Sequence, residues 1–250
     1  MPWGSSSVNL YLWIDLAILA APLALSFDRR VHYVTRWPAV LASALFIAAL
    51  YIPWDVLKTA SGVWGFSERY AGSLRLLGLP LGELLFFLVV PFSCLFIYEV
   101  VRAYFREAQI RVPRWIWLAA AAVCLAVALV FRDRVYTLTV MLSVALFLLL
   151  ACLFAPAMLA SRHFWLAMAL TYVPFLVFNG LLTALPIVTY NDAENWGLRV
   201  YTIPLEDFFY SFSLLGLNLL VYLPLRRALE SRRARGSGRA SRGQQGAPRG

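Results

Sequence analysis

Two short stretches set carboxylates beside aromatic rings at the edge of long apolar runs. The first is Pro80-Leu81-Gly82-Glu83-Leu84-Leu85-Phe86-Phe87 and the second is Pro204-Leu205-Glu206-Asp207-Phe208-Phe209-Tyr210. In each, a proline opens a helix, where its missing N–H is of no consequence. The acids fall in the first turn and the rings follow within one more. A carboxyl group taken out of water favours its protonated form, so it can hold a proton for delivery. Aromatic faces stabilise a cation by about 0.5–2 kcal/mol each, and a second carboxylate can take up a departing proton. Such a set suits carbocation chemistry on an apolar polyene dissolved in a bilayer. The competing reading is capping, since the helix dipole favours a first-turn acid by up to about 1 kcal/mol. Against it, ionisable groups inside membrane segments are costly and mark functional sites. Glu83, Glu206 and Asp207 are therefore the candidate catalytic acids.

The elements that must carry these acids are membrane helices. Hydrophobic residues make up 62% of the 250, charged residues 14%, and the mean hydropathy is +0.72. A soluble domain carries about 25% charged residues, so soluble enzyme, secreted disulfide scaffold and disordered chain are excluded. Seven runs approach the ~20 apolar residues a spanning helix needs, at 10–25, 38–54, 80–101, 115–131, 136–158, 164–185 and 203–225. The fold class predicted is an all-α polytopic membrane protein. The first run is short and holds Asp15. It lacks a basic flank and a cleavage site, so it reads as a retained helix rather than a signal peptide. Cys94, Cys124 and Cys152 lie singly in apolar runs, which predicts neither disulfide nor metal site.

Basic residues set the orientation. Sixteen of the 22 Lys and Arg lie in the gaps after the first, third and fifth runs and in the C-terminal tail. The positive-inside rule predicts a multi-pass cell-membrane protein with the N-terminus outside and the C-terminus cytoplasmic. From Arg226 the chain is Arg, Gly and Ser with almost nothing apolar, which predicts an unfolded tail beside anionic headgroups and not a nucleic-acid binder.

Sliding the chain by 124 residues aligns 51–87 with 175–211 without a gap. Leu57, Thr59 and Ala60 meet Leu181, Thr183 and Ala184; Leu74 and Arg75 meet Leu198 and Arg199; Pro80 and Leu81 meet Pro204 and Leu205. Asp55 meets Asn179. Two parallel three-helix repeats are predicted, at 1–112 and 135–225, with a linking helix at 113–134 and a basic tail at 226–250. Sites at repeat interfaces are common in such folds. Asp55 and Asn179 end the second helix of their repeats on the side of the acids, and Lys58 is placed to pair with Asp55. The polar loop Tyr190-Asn191-Asp192-Ala193-Glu194-Asn195-Trp196-Gly197-Leu198-Arg199 and its aromatic counterpart from Trp64 to Tyr70 lie there too, although an interfacial aromatic belt explains part of that composition. The candidate substrate-contacting residues are Asp55, Trp64, Phe66, Phe86, Phe87, Asn179, Asn191, Glu194, Trp196, Arg199, Phe208, Phe209 and Tyr210.

No GxGxxG, P-loop or HExxH occurs, and the single Lys is not mid-membrane in the last helix, as a retinal Schiff base requires. A proton-coupled transporter is the first rival, disfavoured by the purely apolar middles of the fourth and fifth runs. A non-catalytic carotenoid-binding membrane subunit is the second.

The chain resembles the membrane lycopene cyclases in their fused, tandem form. The residues that carry the resemblance are Pro22…Ser26-Phe27-Asp28, Asp55 with Gly62-Val63-Trp64-Gly65-Phe66, the first proline-acid motif, Phe175…Asn179-Gly180-Leu181-Leu182-Thr183, and the run from Tyr190 through Arg199 to Thr202-Ile203-Pro204-Leu205-Glu206-Asp207. The resemblance implies redox-neutral cyclisation of the ψ ends of lycopene to β rings, by way of γ-carotene to β-carotene, an isomerase or intramolecular lyase activity of carotenoid biosynthesis. It implies no cofactor, and membrane lipids and other carotenoid-pathway enzymes as the surroundings. One departure matters. The family's first motif usually reads Pro-x-Glu-Glu, and here Gly82 stands at the first Glu. If that acid is essential, the first half-site is impaired and the chain closes one end only, acts as a different end-group enzyme or is inactive; the reading kept is the cyclase, with Glu83, Glu206 and Asp207 as its acids.

Overall fold

The structure, a computed structural model, describes residues 9–245, with side chains through Arg235. In chain order the elements are α1 (Leu10–Leu25), a 3-10 turn (Tyr33–Arg36), α2 (Trp37–Ala60), β1 (Trp64–Phe66), the short α3 (Glu68–Ala71), β2 (Arg75–Leu76), β3 (Leu79–Pro80), α4 (Leu81–Tyr104), α5 (Arg114–Val130), α6 (Val135–Phe154), the short α7 (Pro156–Leu159), α8 (Arg162–Ala184), β4 (Val188–Tyr190), β5 (Arg199–Val200), β6 (Ile203–Pro204) and α9 (Leu205–Gln245). Apolar runs become helices because hydrocarbon offers the backbone no other hydrogen-bond partner. The class is the all-α membrane type predicted. The helices α2, α4, α6, α8 and α9 are long and apolar enough to cross a bilayer. The apolar α1 and α5 have 16 and 17 residues, or roughly 25 Å against a ~30 Å hydrocarbon layer.

The predicted repeat is visible in detail. Within each half the first and third helices pack together, α1 on α4 and α6 on α9. Between halves the second helix of one meets the third of the other, α2 on α9 and α8 on α4. The linking helix α5 lies against α6. At one end, β1 pairs antiparallel with β4 in the register Trp64↔Tyr190, Gly65↔Thr189, Phe66↔Val188. A shift of 124 residues carries Gly65 onto Thr189, so this pairing is centred on a pseudo-twofold axis. Two hairpins repeat likewise: Arg75↔Pro80 and Leu76↔Leu79 in the first half, Arg199↔Pro204 and Val200↔Ile203 in the second. Even their left-handed residues correspond, Leu77 at φ 57° and Tyr201 at φ 59°. Pro80 and Pro204 thus end hairpins, and the helices start one residue later.

The opposite end is clamped by charge. Buried Glu99 on α4 receives Arg36 at 3.0 Å, Arg102 at 3.1 Å, Arg226 at 3.5 Å and the Tyr222 hydroxyl at 2.9 Å. Glu230 pairs in turn with Arg226 at 2.9 Å and Arg36 at 2.7 Å. These ties bear on the predicted unfolded tail. It continues as helix to Gln245, because extending a helix that is already nucleated adds a hydrogen bond per residue fixed, whereas its composition alone gave no reason to fold. Residues 1–8 of the first repeat and 246–250 of the tail lie outside the described residues.

Candidate active site

Four inward-facing positions make the site: the first turns of α4 and α9, the last turns of α2 and α8. The helix α4 begins where the second hairpin strand β3 ends, so Glu83 is delivered inward. Its Oε2 accepts the Tyr11 hydroxyl at 2.6 Å. Behind it is Asp55, only 1% exposed. Asp55 Oδ1 accepts Trp64 Nε1 at 2.7 Å and the Thr59 hydroxyl at 3.4 Å, while its buried Oδ2 has no donor partner among the described residues. No ion pair joins Asp55 to Lys58 among the described residues. The tryptophan on β1 has taken that place, since a partner in the membrane interior is closer to hand than a cation at its surface.

The second half repeats the plan with different chemistry. The Asp207 carboxylate accepts the Tyr136 hydroxyl, the Asn179 amide at 2.8 Å and the Tyr190 hydroxyl at 2.9 Å. Burial pushes the Tyr190 phenol well above its usual range, and the neighbouring Asp207 adds to the effect. It therefore stays a donor. Tyr136 lies one residue into α6 and Tyr11 one residue into α1, so the two phenols occupy like positions on the two acids.

Glu83 and Asp207 line one cavity of about 380 Å³, with Tyr11, Trp64, Phe66, Phe86, Tyr136, Asn179, Tyr190 and Tyr210 around them. The lining continues along α4 to Ile97, about 21 Å from Glu83 at 1.5 Å per residue. Its far part is apolar: Ile18, Val90, Phe96, Phe175, Phe178 and Leu214. Ala17 and Ala21 of α1 line it and are also exposed, so the groove opens sideways beside α1. It has the shape of a slot for a long apolar chain with one end against the acids.

Other candidate residues lie elsewhere. Glu206 is fully buried outside the cavity lining. It holds the Thr137 hydroxyl and the Trp196 backbone N–H, each at 2.6 Å, and so ties the polar loop to α6. Phe87 is core, against Tyr51. Phe208 stacks on Tyr172, and Phe209 meets Trp196 edge-on. Asn191 closes a turn through Ala193, Glu194 caps α6 by accepting from Val135, and Arg199 binds Asp192 at 2.5 Å on the surface. None of these lines the cavity.

Gly82 has a physical account. A Cβ there would stand 2.6 Å from Tyr11 Cγ, too close for any side chain without displacing the ring. The bare backbone lets Tyr11 lie over the first turn of α4 and reach Glu83. Tyr11 and Tyr136 were not singled out from sequence, because they correspond at a shift of 125 rather than 124, outside the gapless stretch. Tyr near the start of each repeat's first helix is the signal that marks them. Asp15, one turn from Tyr11, is 2% exposed with neither oxygen partnered among the described residues.

The comparisons with known proteins agree with this doubled architecture. The model of the family described as lycopene cyclase matches twice, over residues 8–101 and 133–225, the two halves related by the pseudo-twofold. A bifunctional lycopene cyclase/phytoene synthase of Neurospora crassa is 28% identical over 113 residues, 43% of this chain. The match spans only 18% of that relative's length. No solved structure matches. With both halves matched, and each half giving one acid to a shared apolar slot, the chain belongs to the lycopene cyclase family.

Proposed function

We propose that this chain cyclises the ψ ends of lycopene to β rings in the membrane, without net redox change. The observation that supports it is the convergence of one carboxyl from each repeat, Glu83 and Asp207, on a single elongated apolar cavity. Acid-catalysed cyclisation needs one proton delivered and one removed at the same end group. Trp64, Phe66, Phe86 and Tyr210 present rings to the cation between those events. The apolar lining excludes water, which otherwise captures a cation. A polyene reaches the site laterally from the bilayer beside α1. Glu206 acts as a positioning residue, since it holds the loop around Trp196 and touches no substrate. The orientation proposed is acids toward the outer face and the Glu99 cluster toward the cytoplasm.

The test is pigment chromatography of a lycopene-accumulating bacterial host expressing this chain alone. Accumulation of β-carotene is the expected result. Unchanged lycopene, with the protein present in the membrane, overturns the reading in favour of a binding subunit.

A further inference from the structure

The two acids occupy equivalent positions in the two repeats, yet their immediate partners differ in kind. Position 55 in the first repeat corresponds to position 179 in the second. Asp55 stands there against Glu83, and Asn179 stands there against Asp207 at 2.8 Å. A carboxylate can only accept hydrogen bonds, whereas an amide NH₂ only donates to it. Asp55 and Glu83 are neighbouring carboxyls, both buried, and two like charges so placed do not both ionise, so one of the two carries a proton. Asp55 receives two donors, the indole N–H of Trp64 at 2.7 Å and the Thr59 hydroxyl at 3.4 Å, against one on Glu83, the Tyr11 hydroxyl at 2.6 Å, so Asp55 is the better-held anion and the proton falls on Glu83. Tyr11 completes that half by donating to Glu83 Oε2. Asp207 is the reverse case. Three donors on three elements, Tyr136 on α6, Asn179 on α8 and Tyr190 on β4, surround it. Hydrogen bonds of this number to a carboxylate hold it ionised. Two oxygens offer about four acceptor positions, so one is left for an incoming proton.

We propose that Glu83 delivers the proton that starts the cyclisation and Asp207 receives the one that ends it, the difference being set by Asp55 and Asn179. The assignment rests on the cyclase reading. Glu83 gives its proton to a carbon of the terminal double bond, so that an O–H bond breaks as a C–H bond forms, leaving a tertiary cation. The electron pair of a second double bond closes the C–C bond of the ring and moves the cation into it. A C–H bond of the ring breaks, its pair becomes the new double bond, and its proton passes to Asp207. One proton then returns from Asp207 to Glu83, and nothing is oxidised or reduced.

Infrared spectroscopy of the full chain in lipid vesicles tests this directly, because protonated and ionised carboxyl groups absorb at separate frequencies. Difference spectra of the wild type against each of Glu83→Gln, Asp55→Asn and Asp207→Asn isolate each acid from the other buried carboxyls, Asp15, Glu99 and Glu206. The amide band reports whether each variant keeps its helices. Glu83→Gln is expected to remove a protonated-carboxyl band, Asp207→Asn and Asp55→Asn ionised ones. Asn179→Asp, which gives Asp207 a carboxyl neighbour, is expected to add a protonated band. An ionised signal lost from Glu83→Gln, or a protonated one from Asp207→Asn, overturns the assignment. These spectra decide the protonation states whether or not lycopene is converted, so failure of the cyclase reading is seen separately, in the pigments. On activity, Glu83→Gln and Asp207→Asn are each expected to lower the conversion rate by about 10²-fold or more.

Discussion

At the residue scale the departure at Gly82 is a fit rather than a loss. The family's first acid position corresponds to Glu206 in the second repeat, and Glu206 is turned away from the cavity to hold a loop. An acid at 82 is thus not what the cavity lacks; its space is filled by the Tyr11 ring. Gly82→Ala is expected to displace Tyr11 and to destabilise the protein by about 1–3 kcal/mol, the usual range for overpacking, with loss of cyclisation. Thermal unfolding in detergent and pigment conversion measure the two effects. Tyr11→Phe, which keeps the ring and removes only a hydrogen bond, is expected to slow conversion with unfolding shifted by no more than about 1.5 kcal/mol. The two acids that line the cavity, Glu83 and Asp207, were legible as candidates, because acids next to a proline and rings announce themselves. The phenols holding them were not, since a tyrosine at the start of an apolar helix looks like an interfacial ring.

At the element scale the helix starts were legible to within about two residues, because apolar length is a strong signal, but the ends were not, since α2 runs on to Ala60 and α9 to Gln245 through polar residues. The hairpins Arg75–Pro80 and Arg199–Pro204 were not, since two-residue strands carry no periodicity. They matter because they aim α4 and α9, and with them both acids. The repeat pointed to a site between the two halves, though not to the lateral opening. That opening depends on two small residues of α1, Ala17 and Ala21, being exposed while lining the groove. Ala21→Trp adds a large ring to the mouth without touching either acid. It is expected to reduce conversion of lycopene while leaving the carboxyl infrared bands unchanged. Equal conversion by wild type and variant in the same membranes rules out entry beside α1.

For the whole molecule, the acidic-aromatic end and the Glu99 end are differently built. Glu99 is 3% exposed and surrounded by arginines from the 3-10 turn, α4 and α9, so it fastens the first repeat to the second. Glu99→Ala removes the buried acceptor shared by three half-buried arginines and Tyr222, of which Arg36 and Arg226 keep Glu230, and is expected to cost about 1–3 kcal/mol, measured by thermal unfolding in detergent. Orientation was read from charge alone. Single cysteines at Leu77 and at Arg106, in a variant without the native three, test it by labelling from outside in intact cells. Label at the first and not the second is expected.

The shared cavity has a consequence for how a two-ended molecule is finished. Lycopene has two identical ends, and this protein has two homologous halves, which invites pairing one half with each end. The geometry does not count that way, because both halves are spent on a single slot. If the chain cyclises lycopene as proposed, a molecule with one ring closed must back out into the bilayer, turn around and compete with fresh lycopene for re-entry. Half-finished product is therefore a free species, and its share should rise with the supply of substrate rather than being a fixed property of the enzyme.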